Sequence, residues 1–412
     1  MTPAIILLLF TVNSFGQNNT SPYSILGIGD IETGSYGKWS GMGNTGVALY
    51  SNRYLNQANP ASLSMLDDQF FNFEIAGRYK NTSYKQTGNS SNEVSSADIS
   101  MQKAALAIKL AKKWGTSVGF VPFSTSNYSF YSAKTLQGSN ETITGYYSGS
   151  GGLQQVYWSN AYSINKNLRA GIQAGFLFGS LQQQEELLTS VTSATYTTTR
   201  NIYMTSPYIT YGLQYNGKVS KKLEVALGGT YASATKLNAD YSYTVNNGTS
   251  DIISDETVKN STYSIPSTTT AGIALIYDKR LTLTSDYKHQ DWSTLNYKGL
   301  NYSLVNSNRY AAGFEISKNI QTLNGPYERF FYQAGIFYND SYLKIKNEQL
   351  KDYGLTLGFG LNSIRNSLGL STALQIGTRG TTNNGLIREN YTQVTFTLSY
   401  RDFWFTKGRK YD

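Results

Sequence analysis

From about residue 69 onward the chain alternates apolar and polar positions with period two, segment after segment. Near the C-terminus Val394, Phe396, Leu398 and Tyr400 alternate with Gln393, Thr395, Thr397 and Ser399. Leu368, Leu370, Thr372, Leu374 and Ile376 alternate in the same way with Gly369, Ser371, Ala373, Gln375 and Gly377. Tyr353, Leu355, Leu357, Phe359 and Leu361 do so with Gly354, Thr356, Gly358 and Gly360. Successive side chains of a strand point to opposite faces, so each segment predicts a strand with one branched or aromatic face and one small or polar face. Fourteen strands are predicted, near 69–86, 97–111, 115–132, 145–164, 168–184, 195–219, 222–245, 259–278, 281–296, 307–318, 328–342, 350–362, 366–378 and 389–405.

The joints between them sort by parity. Short ones are KKWG (112–115), NKN (165–167), SKK (220–222), DKR (278–280) and NSIRN (362–366), with KNIQTLNGPYE (318–328) somewhat longer. Long polar ones fall near 87–96, 133–144, 185–194, 246–258, 297–306, 343–349 and 379–388. Short turns on one rim and long loops on the other are expected of an outer-membrane barrel, and a Greek-key sandwich does not sort its loops this way. Charge agrees: only 15% of residues are charged, and the second face is mostly Gly, Ser, Thr and Gln. A soluble sandwich would charge that face; a barrel in lipid turns it to the lumen. The expected fold is therefore an all-β, antiparallel transmembrane β-barrel of about 14 strands over residues 67–405, in the bacterial outer membrane.

The net charge of +9 does not point to nucleic acid. Lys112, Lys113, Lys166, Lys221, Lys222, Lys279, Arg280, Lys318 and Arg365 fall in short turns, and Lys407, Arg409 and Lys410 in a tail at 406–412. Basic residues pinned to the periplasmic rim fit phospholipid headgroups, so outer-membrane lipid is the expected partner. The last strand ends in Phe403, Trp404 and Phe405, aromatic rings that favour the membrane interface. No cysteine and one histidine, His289, leave no cysteine nucleophile or cysteine-ligated metal, and no choice of His for a triad. The reading is a non-enzyme with no cofactor and no metal.

Before the barrel come two other segments. Ala4–Phe10 is apolar and is followed by small and polar residues, which reads as a signal peptide over 1–16 with a cut near Gly16–Gln17. No later run reaches the ~18 apolar residues of a membrane helix. Residues 17–66 are glycine-rich and too polar for a strand in lipid. Within them GMGNTG (Gly41, Gly43, Gly46) matches G-x-G-x-x-G, but no strand precedes it and no helix follows, so the dinucleotide reading lacks its context. Glycines there suit tight turns and close backbone approach. A barrel of this size encloses a lumen that must be blocked, so this segment is expected to be a plug.

NQANPASLSML carries Asn59, Pro60 and Ala61, and with GMGNTGVAL before it resembles the hatch of the FadL-type outer-membrane transporters of long-chain fatty acids and other hydrophobic compounds. SPYSILGIGDI, GTRGTTNNGLIRENY and RDFWFTKGRKYD look like members from the Bacteroidetes lineage. The resemblance implies a fourteen-stranded barrel, a hatch gated around Gly41, Gly43, Gly46, Asn59, Pro60 and Ala61, and a break in the third strand that releases substrate sideways into the bilayer. In this chain that strand reads GFVPFSTSNYSF. Pro122 cannot donate to the ladder, Asn127 and Tyr128 match the family's Asn-Tyr at the kink, and Ser129 replaces the expected glycine. Passive passage of a hydrophobic small molecule is then the expected function. The alternative is a barrel subunit or shuttle in an outer-membrane secretion or barrel-assembly complex, with other envelope proteins as partners.

Overall fold

A computed structural model describes residues 21–32, 34, 36–87, 94–135, 142–188, 195–248, 252–299, 301–322, 325–364 and 367–404. The proposed signal peptide and cleavage point, Arg365, Phe405 and the basic tail lie outside them. Fourteen strands form the wall. They are β1 (Phe70–Gln86), β2 (Val94–Ala111), β3 (Trp114–Pro122 and Tyr128–Thr135), β4 (Thr142–Ser163), β5 (Leu168–Leu188), β6 (Thr195–Lys218) and β7 (Leu223–Ala232 and Thr235–Asn246). The rest are β8 (Ile252–Ile265 and Thr268–Tyr277), β9 (Leu281–Gln290), β10 (Ser307–Thr322), β11 (Gly325–Ile345), β12 (Glu348–Asn362), β13 (Leu368–Arg379) and β14 (Ile387–Phe403). Each pairs antiparallel with its sequence neighbours, and β14 returns to β1 in unbroken register from Phe70–Phe403 to Gln86–Ile387. Closure satisfies backbone groups that lipid cannot, so the chain is an outer-membrane barrel.

The two predicted faces separate as the alternation requires. Leu355, Leu357 and Phe396 are 62%, 58% and 57% exposed, whereas Thr356 and Thr397 between them are 1% and 2% exposed. The outward set is the lipid belt. At its lower edge Phe403 stacks on Phe70 with ring centroids 4.4 Å apart, and Trp404 is exposed beside it. Lys112, Lys113, Lys166, Lys221, Lys222 and Lys279 are exposed in the short turns.

Four local expectations change. The joint at 343–349 is a two-residue turn between β11 and β12, because Lys346 and Asn347 both adopt positive φ (47° and 69°) as a tight hairpin of this kind needs. Strands β10 and β11 run on to Thr322 and Gly325 through a register shift after Lys318, which shortens the 318–328 joint. The strand expected over 281–296 ends at Gln290, and the short helix Trp292–Leu295 turns inward so that Trp292 stacks on Tyr342 (4.4 Å). The lumen face is also more charged than composition suggested: Glu74, Arg78, Asp98, Lys103, Arg309 and Glu315 are all buried on it.

Candidate functional site

The described residues between 21 and 66 lie inside the barrel as three short 3-10 turns (Pro22–Ile25, Lys38–Gly41, Pro60–Met65) joined by turns, bends and the two-residue strand Asp30–Ile31. What lets them seat is glycine on both sides. In the wall, Gly171 lies directly opposite Gly212, Gly228 opposite Gly272, and Gly313 opposite Gly335. A Cβ on Gly228 would stand 2.0 Å from Val47 O, and one on Gly335 2.3 Å from Gly43 N. By alternation alone these wall positions are a small polar lining; in the fold they are the floor on which the backbone of the N-terminal segment rests.

The GMGNTG stretch is a turn against β9 to β12. Thr356 Oγ1 donates to Gly41 O and accepts from Gly43 N (2.8 and 2.7 Å), Arg309 donates to Gly43 O (2.6 Å), and Gly46 N donates to Asp286 (2.7 Å). Gly43 has φ +68°, a conformation other residues resist. Asn59 caps the helix begun by Pro60, accepting from Ala61 N at 3.1 Å. Its Nδ2 donates to Val47 O (2.9 Å) and to Leu213 O of β6 (3.0 Å), and Asn59 and Ala61 are fully buried.

Ion pairs that the sequence gave no sign of clamp the segment to the wall. Lys38 Nζ lies 3.0 Å from Glu315 and 2.7 Å from Glu328, above the Phe331 ring. Burial alone would lower the Lys38 pKa; the two carboxylates outweigh it and hold the amine above the usual lysine range. Asp30 takes both arms of Arg379 (2.6 and 2.7 Å). Glu32 accepts from Arg78 and Tyr36. At β1 and β2, Lys103 and Glu74 meet at 2.5 Å with 1% of each side chain exposed, and Glu74 also accepts from Leu55 N. These partners are up to 349 residues apart in sequence.

The third strand is interrupted. Pairing of β3 with β2 stops at Phe120–Ala104, whereas the regular register with β4 ends at Pro122–Gln154 and resumes at Tyr128–Gly149, with Phe123 N and Ser126 N between them still donating to Leu153 O and Gly151 O (2.8 and 2.9 Å). Among the described residues, β2 from Val94 to Lys103 therefore pairs with β1 alone. The intervening residues turn inward. Ser124–Thr125 forms a two-residue ladder with Asp30–Ile31, Phe123 O accepts from Glu32 N (3.0 Å), and Ser124 and Ser126 donate to Ile28 O and Ser24 O (2.8 and 2.9 Å). Asn127 O accepts from Ser21 N at 3.3 Å, and Tyr128 is buried. Gly152 of β4 (φ +143°) makes room, since a Cβ there would stand 2.2 Å from Ser124 O.

The break meets Ser21–Glu32 and not the hatch residues Asn59 and Pro60, beside which an exit gated by them would have to lie. Asn59 is spent on Val47 and Leu213, and Pro60 packs on Gly171 and Gly212 of β5 and β6. The signal for Ser21–Glu32 was present in its serines and glycines. No local rule says which strand an unpaired segment will join.

On the outer side Tyr23, Ile28, Leu177, Met204, Trp292 and Tyr342 belong to one buried apolar cluster. Two cavities, about 110 and about 190 Å³, lie alongside residues 30–58 and share Glu32, Gly34 and Asn44. Their linings carry Asp30, Arg78, Arg379, Asp286, Lys288 and Arg309. Among the described residues no helix is long and apolar enough to cross a membrane, and no group of three or more His, Cys, Asp or Glu could hold a metal. His289 lies near the outer end of β9, bonded to Asn308 and Asp291.

Solved structures share this architecture at low identity. A FadL homologue from Pseudomonas aeruginosa has a TM-score of 0.64 at 13% identity, covering 91% of this chain and 100% of its own. The toluene transporters TbuX of Ralstonia pickettii and TodX of Pseudomonas putida score 0.59 and 0.58 at 15% and 16% identity. They cover 90% and 91% of this chain, and 99% of their own. The FadL-type likeness is thus one of fold. No curated protein matches the chain. The BamG family profile matches residues 2–412.

Proposed function

The chain belongs to the BamG family, and from that premise we propose that it is a sealed barrel subunit of an outer-membrane barrel-assembly complex. The family's Bam-type name supports this reading, which is the alternative the sequence left open. The observation that carries it is the lumen. Residues 21–66 are clamped by buried ion pairs, and the two cavities beside them are small and lined by charge. A hydrophobic molecule gains about 0.8 kcal/mol per methylene buried against apolar walls, and charged side chains interrupt the walls of both cavities. The extracellular connections then offer docking surface, as loops on a rigid scaffold commonly do. Purification in mild detergent tests the reading. Near-equal stoichiometry with other envelope proteins is expected; a solitary barrel with ordered acyl density behind residues 21–66 would overturn it.

The break in β3 favours a second reading, passive passage of hydrophobic small molecules with sideways release between β2 and β3. The TodX and TbuX structures are of toluene transporters and share the fold. In this reading the gate is Ser21–Glu32, which fills the break, more than Asn59 and Pro60. Bulky substitutions along the gap, such as Ala97→Trp, should block uptake of long acyl chains and leave barrel stability unchanged. Unaltered uptake in a folded variant would remove it.

A further inference from the structure

The larger cavity lies between the N-terminal segment and the wall from β6 to β10. At its level the register aligns one lumen residue from each successive strand. Thr230 of β7 faces Thr270 of β8, Thr270 faces Lys288 of β9, and Lys288 faces Arg309 of β10. Like charges directly opposite on neighbouring strands repel, so Lys288 and Arg309 are a conflict built into the sheet.

The carboxylates that face Arg309, Asp352 and Asp286, are engaged elsewhere, and Asp352 accepts from the Tyr391 hydroxyl at 2.8 Å. Among the described residues neither side chain forms an ion pair within 4.0 Å. Arg309 donates to Gly43 O at 2.6 Å and lies over the Phe337 ring. Asp286 precedes Lys288 by two residues on the same face, yet its Oδ2 accepts from Gly46 N and Val47 N (2.7 and 3.0 Å). Its Oδ1 is buried, close against Gly272. Glu32, also on the lining, is held by Arg78 at 3.0 Å. Around the two cations stand the hydroxyls of Thr210, Thr230, Thr268 and Thr270. Thr268 accepts from Gln290 and also bonds the Tyr208 hydroxyl, so Thr210, Thr230 and Thr270 are the nearer donors.

We infer that this cavity binds a small oxyanion, a carboxylate or a phosphate, with Lys288 as its principal ligand and the threonine hydroxyls and Arg309 as further donors. Charge-assisted hydrogen bonds to an ammonium and a guanidinium are the strong ones, and an anion between them turns the repulsion into attraction. A volume of about 190 Å³ is well above the roughly 10–15 Å³ that one water needs in this measure, so a small anion and its waters fit. The inference stands on the cavity alone and does not depend on the subunit reading.

The test uses the full-length barrel in detergent micelles, with the midpoint of thermal loss of the folded form measured at constant ionic strength. Sodium phosphate and sodium acetate are compared with sodium chloride. Phosphate or acetate should raise the midpoint above chloride in the native protein. In Lys288→Gln the half-saturating concentration should rise about tenfold, the loss of one charge-assisted bond. The midpoint of Lys288→Gln in chloride should not fall, because the substitution removes a repulsion, so the variant remains readable. Sodium octanoate acting well below acetate would assign the anion as the head of an amphiphile, its tail lying along Tyr208 and Ala232, which line the cavity and join the apolar cluster. Octanoate equal to acetate would assign a free ion. Equal midpoints in all the salts, or an unchanged response in Lys288→Gln, would overturn the proposal.

Discussion

Replacing Lys38 with methionine should release the N-terminal segment without opening the barrel. Methionine keeps the stem over Phe331 but removes the charge that Glu315 and Glu328 share. Lys38 and Glu315 are 8% and 7% exposed, so solvent cannot replace the lost partner there; Glu328, at 18%, has partial access. Leaving one member of a buried pair uncompensated costs about 3–5 kcal/mol, and the access of Glu328 argues for the lower part of that range. Because 1.4 kcal/mol is tenfold, the opening equilibrium of the segment should rise about 10²- to 10³-fold. Amide hydrogen exchange reads this directly. Ser40 and Met42, whose N–H groups bond to Gly37 O and Trp39 O, should exchange faster by that factor, while central amides of β10 and β11 keep their rates. Lys38→Arg should restore most of the protection. Unchanged exchange at residues 38–42 would refute the clamp, and equal acceleration in the strands would show that the substitution unfolds the barrel itself.

Four further outcomes are expected. Phe396→Arg, on the lipid face near the middle of β14, should cost about 2–4 kcal/mol in urea unfolding from vesicles, whereas Tyr400→Arg near the rim should cost about 0–1; equal costs would refute the depth assignment. Thr397 faces the lumen but is 2% exposed and packed inside, so Thr397→Arg should also be costly. Gly228→Val puts side-chain atoms onto Val47 O and should displace residues 46–49, seen as faster exchange there in a barrel that still inserts. Deleting residues 23–60 should raise entry of small hydrophilic antibiotics while the barrel inserts; unchanged entry with confirmed insertion would show that this segment does not seal the lumen.

The period-two alternation determined the wall by itself. A strand's pleat fixes which face each residue takes, so Leu355, Leu357 and Phe396 could be set in lipid from sequence, and strand number and topology followed from the joints. Local chemistry also marked Pro122 as a place where the ladder fails. Closure decided the rest. Asp30 meets Arg379 and Lys38 meets Glu315 because the sheet curls until distant strands face a common axis, and no period carries information about what lies across that axis. The same holds for Gly228, which looks like any small residue until Val47 rests on it, and for Lys288 and Arg309, whose opposition depends on the register of β9 against β10. Side-chain direction is a local property of the backbone; partnership inside a closed barrel is a property of its circumference and register, which only the folded chain sets.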